Sequence, residues 1–109
     1  MTVGELAKKL SLEPLSAPNA EREVDGVYIG DLLSWVMGRA ESGNVWITIM
    51  SNVNVIAVAT LTDVACILLA EGVTLEKDLC QTAEQKGINV YSSSKTAYEL
   101  AACLADLLK

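Results

Sequence analysis

Residues 53–70 read VNVIAVATLTDVACILLA. The run is apolar almost throughout, so periodicity alone does not divide it into elements. The break at Leu61-Thr62-Asp63 does. Before it, Asn54-Val55-Ile56-Ala57-Val58-Ala59 reads as a short buried helix, with Ser51-Asn52-Val53-Asn54 supplying candidate caps. The β-branched residues in that half oppose the helix, because they lose side-chain freedom in it. After the break, Val64-Ala65-Cys66-Ile67-Leu68-Leu69 has no polar residue on either face. Continuous hydrophobicity of that kind fits a central parallel strand buried on both sides.

Working outward, strands and helices alternate from residue 23 to the end. Glu23 to Ile29 reads as a strand, with Gly26 marking a bulge. Gly30-Asp31 opens a helix with Asp31 as N-cap and an apolar side of Leu32, Leu33, Val36 and Met37. Val45 to Met50 is a β-branched strand. Thr74 caps a further helix that packs through Leu75, Leu79, Thr82 and Ala83 and stops at Gly87. Ile88 to Tyr91 is a strand, and Ser92-Ser93-Ser94-Lys95 is a polar loop. Two capping boxes, Thr2 with Glu5 and Thr96 with Glu99, start helices near each end of the chain. The stretch from Leu12 to Leu15 is short and apolar, and a loop follows it at Pro18-Asn19. This alternation predicts a single α/β domain over residues 1–109, with a mostly parallel or mixed sheet packed with helices.

Composition excludes more than it assigns. The chain has 109 residues, enough for one core. It carries 8 basic and 14 acidic side chains, a net charge of −6, which disfavours nucleic acid as a partner. It has no His, which removes Ser-His-Asp triads and most zinc sites. The three cysteines, Cys66, Cys80 and Cys103, form no CxxC pair and read as small apolar residues in a reducing cytoplasm. No stretch is apolar enough to span a membrane, so none is expected, and neither is a bound cofactor. There is no GxxxxGK[ST] loop, no GxGxxG and no GxSxG.

In an open α/β sheet, ligands bind beyond the carboxyl ends of the parallel strands. Three strand exits are informative: Met50 to Asn54, Ala70-Glu71-Gly72, and Ser92 to Thr96. They place Asn52, Asn54, Glu71, Ser93, Ser94 and Lys95 along one edge as a candidate ligand site, with Lys95 as its cation. The same residues also serve as ordinary caps and turns. Trp35 and Trp46 are open to two readings, core packing or a subunit interface. A homodimer is expected, joined through Trp46 or the neighbouring Tyr28.

GVYIGDLLSWVMG (26–38), VWITIMSNVNVIAVATL (45–61), ILLAEGVTLEKD (67–78) and AEQKGINVYSSSKTAYELAACL (83–104) resemble the DRTGG domain family. The resemblance covers nearly the whole chain. It implies an α/β fold similar to the N-terminal domain of HPr serine kinase/phosphorylase and to a MurF-type domain. The implied role is regulatory or assembly-forming rather than catalytic, with small-ligand sensing of a nucleotide or phosphorylated metabolite as the alternative. The form is similar to free-standing, single-domain versions whose genes stand near those of iron-hydrogenases. An iron-hydrogenase-type redox complex is therefore the partner the resemblance implies. The signature that gives the family its name is altered here. Ser51-Asn52-Val53 stands where Asp-Arg would fall, and Ala70-Glu71-Gly72 stands where Thr-Gly-Gly would.

Overall fold

The computed structural model describes residues 1–109. Five strands make one sheet: β1 (Glu13–Ser16), β2 (Val27–Ile29), β3 (Val45–Thr48), β4 (Cys66–Leu69) and β5 (Val90–Ser92). Their order across the sheet is β1-β5-β4-β3-β2. Four strands run parallel, and β1 pairs antiparallel with β5 at one edge. The five helices are α1 (Val3–Lys9), α2 (Leu33–Arg39), α3 (Val53–Thr62), α4 (Lys77–Gln85) and α5 (Ala97–Leu107).

The run at 53–70 divides as its polar break predicts. β4 lies in the middle of the sheet, and its residues alternate between two cores. Cys66 and Leu68 pack with α1 and α5 through Val3, Leu6, Leu100 and Leu104. Ile67 and Leu69 pack on the other face with Val36 of α2, Val55, Ile56 and Val58 of α3, and Ala83 of α4. A strand covered by helices on both faces needs apolar residues at every position, and β4 has them.

α3 is a helix despite its valines and isoleucine. Their helix propensity costs up to about 0.7 kcal/mol each relative to Ala. Burying each such side chain contributes about 1.5–3 kcal/mol. Val55, Ile56 and Val58 are all buried, so packing outweighs propensity. The Asn52 side chain accepts from the Asn54 N–H at 2.9 Å and starts the helix. Asp63, in a left-handed conformation, ends it.

Several local expectations are corrected. Leu12 to Leu15 contributes to an edge strand, β1, whose short length and Pro14 hid it from pattern reading. β2 begins only at Val27. Gly26, at φ +83°, turns the chain before the strand and does not bulge within it. Asp31 does not cap α2, whose N-cap is Leu32 without a side-chain bond. Its carboxylate instead accepts from Thr48 Oγ1 at 2.8 Å and from the Ile49 N–H at 3.0 Å, tying the β2 exit to the β3 exit. Thr74 does not cap α4, which starts after Glu76. Only Val36 of the expected α2 face is buried, Leu33 is half-buried, and Leu32 and Met37 are exposed.

Trp46 is fully buried and its indole N–H donates to the Gly30 carbonyl at 2.9 Å. It is a core residue, so a subunit interface through Trp46 is excluded. Tyr28 is half-buried beside it on β2. No helix is long and apolar enough to cross a membrane.

Candidate functional site at the strand exits

The parallel sheet delivers the β3, β4 and β5 exits to one edge, as the three-exit reading requires. Within that edge the predicted residues separate. Asn52 and Asn54 belong to the start of α3, where the Asn52 side chain is engaged as a cap. Glu71, Ser93, Ser94 and Lys95 lie together further along, where the β4 and β5 exits are bonded to each other.

Four hydrogen bonds hold this second group. The Ser93 N–H donates to the Leu69 carbonyl at 2.9 Å, and the Gly72 N–H donates to the Ser93 carbonyl at 2.8 Å. The Glu71 N–H donates to the Lys95 carbonyl at 2.8 Å. The Lys95 N–H donates to Ser93 Oγ at 3.1 Å. Glu71 reaches this position with φ +58°, and Gly72 follows at φ +76°. Two consecutive left-handed residues turn the chain sharply out of β4. Glu71 thus contributes through its backbone, and its side chain is exposed.

The β5–β1 end of this edge is concave. A cavity of about 380 Å³ lies between Leu10 and Ser11 after α1, Glu13 of β1, Gly72, and Ser92 to Lys95. Of the six predicted residues, Ser93, Ser94 and Lys95 line it, while Asn52, Asn54 and Glu71 do not. Sequence reasoning missed Ser11 and Glu13, because β1 was not recognised as the strand beside β5. A signal was present: Leu12 and Leu15 flank a short extended segment bounded by Ser11 and Pro18.

The electrostatics of the edge are simple. Lys95 is exposed and forms no ion pair. Ser92 is buried, with its hydroxyl donating to the Val73 carbonyl at 2.7 Å. The loop leads into α5 through the Thr96–Glu99 capping box, both of whose reciprocal bonds form. Hydrogen bonds from Thr96 hold the Glu99 carboxyl below its ordinary range, and Thr2 does the same for Glu5 at α1. No group of three or more Cys, Asp or Glu is placed to hold a metal. Cys66, the one fully buried thiol, has its pKa pushed up to about 12 by burial.

Sheet order and exit edge define a small α/β domain, wound on both faces, with one polar cleft beside its last parallel strand. The DRTGG domain model matches residues 5–107, and the chain belongs to that family. It is similar in fold to the CBS and DRTGG domains of the regulatory region of Clostridium perfringens pyrophosphatase, a structure complexed with its activator, diadenosine tetraphosphate. The TM-score is 0.71 at 13% identity, over 93% of this chain and 44% of that one. This chain therefore spans less than half the length of that regulatory region. No curated protein matches the sequence.

Proposed function

We propose that this chain is a non-catalytic regulatory or assembly domain that works as a homodimer. The observation that carries this reading is a set of exposed apolar side chains on two neighbouring segments. Ile29, Leu32, Trp35, Met37, Ile49 and Val53 are each between 45% and 60% exposed. All belong to the β2–α2 and β3–α3 segments, which Asp31 ties together. Single exposed apolar residues are ordinary, but six large ones on two neighbouring strand–helix segments, a Trp among them, favour a contact surface.

A second copy suits this surface. A two-fold interface must be complementary to itself. Arg39, stacked 3.9 Å from the centre of the Trp35 ring, and Asp31 provide one charge of each sign. The free edge of β2 suits it less. That strand has three residues, and Asp25 and Asp31 flank it, which discourages strand addition. A regulatory role also suits a family member whose structural neighbour comes from an enzyme's regulatory region.

Sedimentation velocity at high micromolar concentration tests the reading. The expected species has twice the 11.6 kDa chain mass, and Trp35→Ser with Leu32→Ser returns it to the monomer. A clean monomer in the parent chain overturns it. If that monomer gains mass only with an iron-hydrogenase-type redox complex, the patch is a docking face for that partner instead.

A second reading, small-ligand sensing at the strand-exit edge, rests on the cleft beside β5. Chemical-shift mapping during titration with nucleotides and phosphorylated metabolites tests it.

A further inference from the structure

The cleft beside β5 is polar to an unusual degree for a ligand cavity. Such sites are mostly apolar and aromatic, with a few polar groups for orientation. Here Leu10 is the only apolar lining residue. The rest of the wall offers serine hydroxyls, one ammonium group and one carboxylate. No Trp, Tyr or Arg plane lines it, so a nucleobase entering it would find nothing to stack on.

We infer that this cleft takes a small phosphorylated polyol, such as a sugar phosphate, and does not recognise a nucleobase. The inference rests on the ligand-sensing reading and specifies its ligand. Lys95 is the phosphate anchor. It is the one cation in the wall and makes no salt bridge, although the Glu99 carboxylate lies within reach of its charge. Ser93 and Ser94 stand next to it, and the loop that carries all three is fixed to the β4 exit by the Glu71, Gly72 and Ser93 amides. That fixation lowers the ordering cost of binding.

The rest of the ligand is set by the β1 side of the cleft, where Glu13 is the register partner of Ser92. Glu13 brings a negative charge into a cleft whose anchor favours anions. A bare phosphate is repelled by it. A ligand with hydroxyl groups beyond its phosphate can donate to that carboxylate, which turns the repulsion into a charge-assisted bond. Ser11 adds a hydroxyl on the same side, at a residue held at φ +54°. Gly72 also lines the cleft, and a Cβ built there would meet no atom within 4 Å.

Isothermal titration of the full chain with inorganic phosphate, ribose 5-phosphate and AMP tests the inference. Ribose 5-phosphate is expected to bind more tightly than phosphate, and AMP no more tightly than ribose 5-phosphate. Lys95→Gln, at an exposed position, is expected to weaken the ester about tenfold, the effect of losing one charged hydrogen bond. Glu13→Gln is expected to tighten inorganic phosphate and to narrow the advantage of the sugar ester. Binding of AMP tenfold or more above ribose 5-phosphate overturns this inference and leaves ligand sensing standing. Binding of none of the three overturns both. Ester binding unchanged by Lys95→Gln overturns the placement in this cleft.

Discussion

Glu71 shows how one backbone angle decides what a residue does. From sequence it stands as a carboxylate at a strand exit, available to a ligand. In the fold it occupies φ +58°, a region that costs a non-glycine residue about 1 kcal/mol. Glu71→Gly is therefore expected to stabilise the chain, by about 0.5 kcal/mol after the added freedom of the unfolded state is set against the relieved strain. Urea denaturation measures it, and a loss of stability would show that the Glu71 side chain matters. Asp63 holds a left-handed position as well, at φ 57°, but its side chain is engaged. It accepts from Arg22 at 3.0 Å and from Ser42. Those hydrogen bonds, Arg22 first, hold its carboxyl below the ordinary 3.8. A lowered folded pKa gives stability that is present at neutral pH and is lost as pH falls through the folded value. Asp63→Asn is thus expected to be less stable than the parent at pH 7, by under about 1 kcal/mol for so exposed a pair. The two melting temperatures should converge in acid, below pH 3.8.

At the scale of elements, legibility followed the strength of local signals. Both capping boxes were readable, because each needs only two residues three apart, and both form. α3 and β4 were readable because the polar break at Thr62-Asp63 falls where the helix ends. β1 and the start of α2 were not. β1 has four residues, including a proline, and exists because it pairs with β5, about 75 residues away in sequence. The role of Asp31 is not legible locally, because an acidic residue before an apolar run looks the same whether it caps a helix or reaches across to another strand. That choice depends on where Thr48 lies, which no local pattern encodes. The candidate site divided for the same reason: the exits were identified correctly, but which of them share a cleft depends on strand order and on β1. Asn52 provides the test. It is a cap at α3, so Asn52→Ala is expected to cost about 1 kcal/mol of stability. It stands outside the cleft, so the same variant should leave ribose 5-phosphate binding unchanged when titrated below its melting range.

Across the whole molecule, the strand-exit edge has two ends with different chemistry. At the β2–β3 end it is apolar, with Leu32, Trp35, Ile49 and Val53 half-exposed. At the β5–β1 end it is polar, with Ser94, Lys95 and Glu13 around the cleft. The sheet order sets these ends apart, because β4 and the buried faces of β3 lie between them. A second copy seated on the apolar end leaves the polar end open to solvent. Communication between them would have to run through the sheet, whose central strands are packed on both faces and do not shift cheaply. Assembly and ligand binding are therefore expected to be close to independent. The double variant Leu32→Ser with Trp35→Ser removes apolar groups that are already more than half exposed, so it should lower the chain's melting temperature little while abolishing the dimer. Titrated with ribose 5-phosphate, this monomer should show the parent affinity within about twofold, a difference of under about 0.5 kcal/mol. A tenfold change would mean that the two ends are coupled, and by reciprocity saturating ester would then shift the monomer–dimer equilibrium by the square of that factor, one factor for each site in the dimer. Sedimentation of the parent chain with and without the ester measures that shift directly. No change in the dimer fraction is the outcome that two independent ends require.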